Sequence, residues 1–470
     1  MESVSSLTPG SAADMPEKKR LPKSVKVFMG LGDFGDNFNS VGGLYGTFFI
    51  TDVLRMPLNL FSILNIVGAF TGILTGPIGG GMIDKVKPMR WGKYRSWFLI
   101  IPPITALLAV FRFINWSSAF LAFCILLVVN VIGGCTGIVA NTAGFSLIPS
   151  MCAYEDEKAS LSSNRIAYAA IGRLVGGFLF PTLMIPASAM LANNSYVVLS
   201  AVAGITLIIL YRTQFRITKG WEGNGIPEER EAFTLKQMFQ AIATTPQLIP
   251  VLFADFTSTL STFFLPGLLI YMYTYVIQDV SLLPIHNVVC SAMAFLGAYL
   301  SRFIMQAVED RRRVAGIIYL CAAIACFSTR FFTGIPFLFI AISSLMDFAS
   351  YCAQPIEGTF YFDCAIYSQW KTGGSNPTAL FIGVSTLVLQ FIGIFRSFLI
   401  TWLFNYIKYT PDMGSTPLVR AAFTNVYSLA NCIIPLMGFI SITFFYKLSP
   451  AIIKKCREEI IARGQEIPAS

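Results

Sequence analysis

The sequence predicts an all-α membrane protein of about 12 transmembrane helices, arranged as two six-helix halves. Three observations lead there. Hydrophobic residues make up 55% of the 470-residue chain and charged residues only 13%, a balance that would leave a soluble protein covered in apolar patches. Apolar runs of roughly 20 residues, each enough for one helical crossing, recur along nearly the whole length. Lys and Arg concentrate in short segments between alternate runs, the pattern of loops retained on the cytoplasmic side.

The elements follow in order. Residues 1–25 are rich in Ser, Pro and charge and lack an apolar signal core, so a disordered cytoplasmic tail is expected there. Spans are expected at about 26–50, 58–83, 97–114, 118–149, 165–189 and 194–213, giving an N-terminal half over 26–213. A polar connector, 214–246, carries Glu228-Glu229-Arg230-Glu231 and is expected in the cytoplasm. A second set at about 247–278, 285–307, 314–333, 335–365, 378–407 and 420–447 gives a C-terminal half over 247–447, followed by a basic tail, 448–470. Basic residues gather before the first span, at Lys85–Arg95, at Arg311–Arg313 and after the last span. The intervening segments Met190–Ser195 and Asp279–Asn287 have no Lys or Arg. Both termini are therefore expected in the cytoplasm and the protein in the plasma membrane.

Net charge is +9, but its confinement to short loops argues against a nucleic-acid surface. The 10 Cys are scattered, mostly within apolar runs, and read as small buried hydrophobes. The single His, His286, reads as a loop residue. With no metal spacing, phosphate loop or nucleophile–base set, neither catalysis nor a cofactor is expected.

Six spans, a long connector and six more is the layout of the major facilitator architecture. Within it the chain resembles the glycoside–pentoside–hexuronide:cation symporter family, on five islands in family order. These are Thr51-Asp52-Val53, Gly76-Pro77-Ile78, Arg90-Trp91-Gly92-Lys93-Tyr94-Arg95, Phe145-Ser146-Leu147-Ile148-Pro149 and Trp370-Lys371-Thr372-Gly373. The resemblance implies a carbohydrate carrier working by alternating access. It also implies that Asp36 matches the sugar-binding aspartate of the first span and Arg165 an arginine beside the sugar. Asn141 stands where the family has an aspartate, and Phe145 where it has a tryptophan. The family's cation-binding aspartates correspond to Gly72 and Gly76, and its coupling lysine is missing from Leu387–Phe391.

Ionisable groups inside spans are functional candidates because burying them is costly. Asp33, Asp36, Asn37 and Ser40 fall on one stripe of the first span, where carboxylates can accept from sugar hydroxyls or be locked to an arginine. Gln354, in a tenth-span stretch with Asp347, Tyr351, Glu357 and Asp363, joins the substrate-binding candidates Asp33, Asp36, Asn141, Phe145 and Arg165. Asp36, Asp255, Glu357 and Asp363 are the candidates for coupling to H⁺ or Na⁺. Arg165, Arg173 and Arg396 are expected to neutralise these acids, Arg396 foremost in a structural ion pair, or to meet an anionic substrate. Tyr271, Tyr273 and Tyr275 read mainly as interfacial anchors or packing.

The function expected is secondary active transport of a glycoside, sugar or related small organic solute, coupled to protons through a non-standard site. The alternatives are an uncoupled facilitator of the same fold, favoured by Gly72 and Gly76, and a non-transporting membrane receptor. The expected partners are the solute and the lipid bilayer, with a monomeric protein and no nucleic acid.

Overall fold

The computed structural model describes residues 19–85, 87, 89–191, 194–224, 235–374 and 377–463. The N-terminal tail through residue 18 and the connector's acidic run Glu228–Glu231 lie outside the described residues. So do the side-chain surroundings of residues 72–86, which include the Gly72 and Gly76 positions, and of Gln390.

The first span, 23–53, is built from Lys23–Phe28, Leu31–Leu44, Gly46–Phe48 and a π-helical turn, Phe49–Val53. The next five are Leu58–Lys85, Trp97–Arg112, Ala119–Met151, Glu155–Leu191 and Ser195–Ile217. The seventh runs over Leu248–Tyr271 and ends in a second π-helical turn, Met272–Ile277. Then come Leu283–Ala307, Arg311–Ser328, Pro336–Thr372 and Thr378–Tyr406. The last span joins Pro417–Asn425 to Asn431–Ile440 and closes with the π-helical turn Ser441–Phe445. Among the described residues, eight helices are long and apolar enough to cross a membrane, and three shorter apolar helices accompany them. The fifth helix begins at the acidic Glu155, well before the expected residue 165, because it continues beyond its apolar stretch. The connector contains the helix Leu235–Thr244, and the C-terminal tail the helix Pro450–Ala462, capped by the Ser449 hydroxyl.

Packing repeats between the halves. In the first, span 1 packs on spans 5 and 6, span 2 on 4, and span 3 on 4 and 6. In the second, span 7 packs on 11 and 12, span 8 on 10, and span 9 on 10 and 12. Spans 5 and 8, and spans 2 and 11, meet across the halves, as a pseudo-two-fold axis requires. Even the ends of spans 1 and 7 correspond. Each finishes in a π-helical turn followed by a left-handed residue, Arg55 at φ 50° and Gln278 at φ 63°.

Three apolar cores hold this arrangement. One belongs to the N-terminal half on the side bearing the termini, around Phe98, Leu147 and Leu207. A second belongs to the C-terminal half on that side, around Phe360, Phe381 and Tyr446. The third lies at the opposite, far side and joins both halves, packing Phe49 and Phe61 with Tyr271, Phe404 and Phe423. The halves thus share one core on the far side and keep separate cores on the terminal side.

The loop after the second span is a fastening. Gly92, at φ 114°, lets it turn so that the Tyr94 and Arg95 amides donate to the Glu222 carboxylate at 2.9 and 3.3 Å. The Arg95 side chain donates to Thr218 Oγ1 at 3.1 Å and to the Phe215 carbonyl at 2.6 Å, closing the end of the sixth span. In the second half, the matching acid-then-base loop uses Asp310 to cap the ninth span and pair with Arg313 at 2.9 Å.

Candidate functional site

A cavity of ≈ 450 Å³ lies between the halves, lined from the first, third, fifth, seventh, eighth, tenth, eleventh and twelfth spans. Its polar lining includes Asn37, Ser40, Thr262, Asn287 and Tyr351, with Arg112, Arg173, Arg396 and Asp347 as its charged residues. Arg112 donates to Asn130 Oδ1 at 3.0 Å. Arg173 reaches across the halves to Tyr351 at 3.1 Å and, within its own half, to Asn37 at 3.3 Å. Asn287 ties the eighth span to the Gly177 carbonyl of the fifth at 2.8 Å.

The far side of the cavity is shut by a hydrogen-bonded plug. Asp52, at the end of the first span, accepts from the phenols of Tyr275 and Tyr409, the latter at 2.6 Å. Thr51 donates to Asp52 at 2.5 Å and shares a 2.8 Å bond with Tyr271. Asn405 donates to Ser62 at 3.0 Å, and the exposed Arg55 pairs with Asp412 at 3.0 Å. All of these bonds except Thr51–Asp52 join one half to the other. Tyr271 and Tyr273 are completely buried, so of the two readings given to them packing is the one that fits: Tyr271 serves the plug and Tyr273 bonds His286 at 2.8 Å. His286 is itself corrected. It stands in the first turn of the eighth span, only 3% exposed, because Pro284 starts that helix rather than continuing a loop.

The sequence-derived candidates separate into three places. Asp33 and Arg165 form a two-pronged pair, Nε to Oδ2 at 2.7 Å and Nη2 to Oδ1 at 2.6 Å, so Asp33 is locked rather than open. Arg165 also lies 4.3 Å over the Phe145 ring, with its Nη2 only 2.9 Å from where a Cβ on Gly144 would stand. Asn141 and Phe145 are exposed one turn apart, and Asp36 is bonded by the Tyr211 hydroxyl of the sixth span. This group lies on the terminal side of the cavity, and only Asn37 and Ser40 of the first-span stripe line the cavity itself.

The second place is inside the C-terminal half. Asp255 accepts from Tyr361 at 2.7 Å and Thr259 at 3.2 Å, while Glu357 accepts from Ser258 at 2.9 Å and from Tyr319. The seventh and tenth spans thereby clasp reciprocally, each giving a carboxylate to the other's hydroxyl. Glu357 is 2% exposed, and among the described residues neither acid meets a Lys or Arg. Gln354 donates weakly, at 3.5 Å, to the cavity residue Thr262. The third place holds Asp363 alone of the candidates. It sits in a cleft on the terminal side with Arg311, Lys454 and Arg457, remote from the central cavity. Arg396 is corrected too: no carboxylate pairs with it among the described residues, and its buried Nε has no hydrogen-bond partner. Arg112 escaped the sequence reading, since a charge at the end of an apolar run resembles any loop boundary.

A two-fold helical bundle with a polar cavity at its half interface defines a transporter of the major facilitator class, not an enzyme. The family described as MFS/sugar transport protein matches residues 28–450, and the chain belongs to that family. A protein of Salmonella typhimurium assigned as a 2,3-dihydroxypropane-1-sulfonate exporter is 24% identical, covering 96% of this chain and 98% of its own. One assigned as a sulfoquinovose importer in Escherichia coli is 23% identical over 95% and 96% of the two chains. The lactose permease of Lactobacillus delbrueckii subsp. bulgaricus is 25% identical over 83% and 63%. Among solved structures, a bacterial homologue of the human lysosomal transporter Spinster, inward-facing and unoccupied, superposes with TM-score 0.63 at 13% identity, covering 95% of this chain and 98% of that one. A D-xylose–proton symporter does so with TM-score 0.60 at 14% identity, covering 91% and 98%.

Proposed function

We propose that this protein carries a sugar-like organic solute across the cell membrane by alternating access, with a proton coupled through the Asp255–Glu357 clasp. The observation that carries the reading is the cavity between the halves, to which both contribute polar side chains. Basic loops on the terminal side support cytoplasmic termini, so the separate terminal-side cores and the far-side plug correspond to an inward-facing state. Glu357 suits a proton carrier because its partners are hydroxyls, which accommodate a carboxyl group with or without its proton. The relatives named for sulfonated solutes match nearly the whole chain and the lactose permease a smaller share, all at 23–25% identity, so the charge of the solute is read from the cavity itself.

Proteoliposomes tested with labelled glucose, glucuronate and a 6-sulfonated glucose check this reading. An inward-directed solute gradient should drive uptake of at least one, and a pH gradient should make it concentrative. Glu357→Gln should abolish concentration while keeping counterflow. Wild-type uptake indifferent to both a pH gradient and a sodium gradient would instead establish the uncoupled facilitator, the second reading, which Gly72 and Gly76 favour by replacing the family's paired acids.

A further inference from the structure

The charge of the cavity identifies the class of solute. Arg112, Arg173 and Arg396 all line it, whereas among the described residues Asp347 is the one carboxylate in the lining. The partners of Arg112 and Arg173 are neutral, Asn130 for the first and Tyr351 and Asn37 for the second. Arg396 keeps a buried Nε with no partner, and its Nη2 lies 3.1 Å from where a Cβ on Gly267 would stand, so the absence of a side chain there makes room for the guanidinium. An arginine within a membrane span is costly unless it serves a cavity or a counter-charge, and among the described residues the three guanidiniums outnumber the single cavity carboxylate.

Symmetry sharpens the point. Arg173 is the nineteenth residue of the helix starting at Glu155, and Arg396 the nineteenth of the helix starting at Thr378. These are the fifth and eleventh spans, equivalent under the pseudo-two-fold axis. The cavity therefore receives Arg112 and Arg173 from the N-terminal half and Arg396 from the C-terminal half. Like charges on opposing halves resist approach, and an oxyanion between them would turn that repulsion into two attractive contacts.

We propose that the solute is an anion, a polyol bearing a carboxylate or sulfonate, whose oxyanion bridges Arg173 and Arg396. Its hydroxyls then face the neutral groups of Asn37, Ser40 and Thr262. This rests on the transport reading but is separable from it, because a neutral-sugar carrier would use the same cavity.

Binding to the purified full-length protein in lipid nanodiscs tests it, using glucose, glucuronate and 6-sulfonated glucose at one ionic strength. At least one of the two anions should bind 10-fold or more tighter than glucose, and which one answers distinguishes carboxylate from sulfonate. Arg396→Gln should weaken that anion roughly 10–100-fold, the loss of one charge-assisted contact, while changing glucose affinity far less, and Arg396→Lys should restore part of it. Should Arg396→Gln fail to fold, Arg173→Gln, at a residue exposed to the cavity, gives the same readout. Glucose binding as tightly as both anions would overturn the inference and leave the sugar-carrier reading standing. Undiminished anion binding by the glutamine variants would overturn it as well. No binding of any of the three would overturn both.

Discussion

Asp52 is the point at which closure of the far side is most open to measurement. Its carboxylate gathers two phenols from the opposite half, Tyr275 and Tyr409, and its neighbour Thr51 holds a third, Tyr271. Asp52→Ala removes the two carboxylate bonds that cross the halves, along with the one from Thr51, and leaves the phenols to find other partners. A hydrogen bond to a charged group contributes about 1.5–3 kcal/mol, so two set an upper bound of roughly 3–6 kcal/mol. Neighbouring bonds are not additive, and the shared apolar core stays in place, so we expect about 3 kcal/mol. That is roughly a 100-fold shift of the population away from the state closed on the far side. Cys290, which lines the cavity, provides a native reporter once the other cysteines are replaced. A membrane-impermeant maleimide added outside right-side-out vesicles should label it slowly in the parent and on the order of 100-fold faster in Asp52→Ala. Asp52→Asn should fall between, since a neutral acceptor makes bonds about half as strong. Equal labelling rates in all three would refute the plug, because the populations would then be indifferent to it.

Two further outcomes concern stability. Gly92→Ala should destabilise the protein by about 1–3 kcal/mol, since a Cβ at φ 114° would stand 2.0 Å from Glu222 Oε2 and break the loop's fastening to the sixth span; a melting temperature in detergent equal to the parent's would contradict this. Asp33→Ala should cost about 3 kcal/mol by leaving the buried Arg165 unpaired, and Asp33→Ala with Arg165→Leu should recover most of it in the same melting assay.

Helix positions were legible because bilayer thickness imposes a length on every apolar run, and the connector marked the division into halves. Side chains bonded across the halves were not. Thr51 and Tyr271, or Asp52 and Tyr409, are separated by hundreds of residues, and helical periodicity reports the face a residue occupies without its partner. The stripe of Asp33, Asp36, Asn37 and Ser40 shows this well. Spacing placed the four together, yet they spread over about 100° of helix surface and about two turns of its length, and this sends Asp33 to Arg165, Asp36 to Tyr211 and only Asn37 and Ser40 to the cavity. His286 carried a readable signal, the proline two residues before it at a helix start. Arg396 carried the opposite of one: an unpaired buried arginine looks in sequence like half of an ion pair.

The two halves share a fold but treat buried charge differently, and that difference bears on how transport could be driven. In the N-terminal half Asp33 is neutralised by Arg165 through two short contacts, a pair whose separation would strand a charge. In the C-terminal half Asp255 and Glu357 meet hydroxyls instead, at the seam between the seventh and tenth spans. A salt-bridged carboxylate has little reason to change protonation during a cycle. A hydroxyl-bonded one can gain or lose a proton when the seam is strained, without leaving a cation unpaired. The proposed proton coupling therefore falls on a hydroxyl-bonded acid, Asp255 or Glu357 at this seam or Asp36 beside Tyr211, and not on Asp33. Moving an arginine into the seam, as Thr259→Arg would, should extinguish proton coupling by holding Asp255 permanently charged.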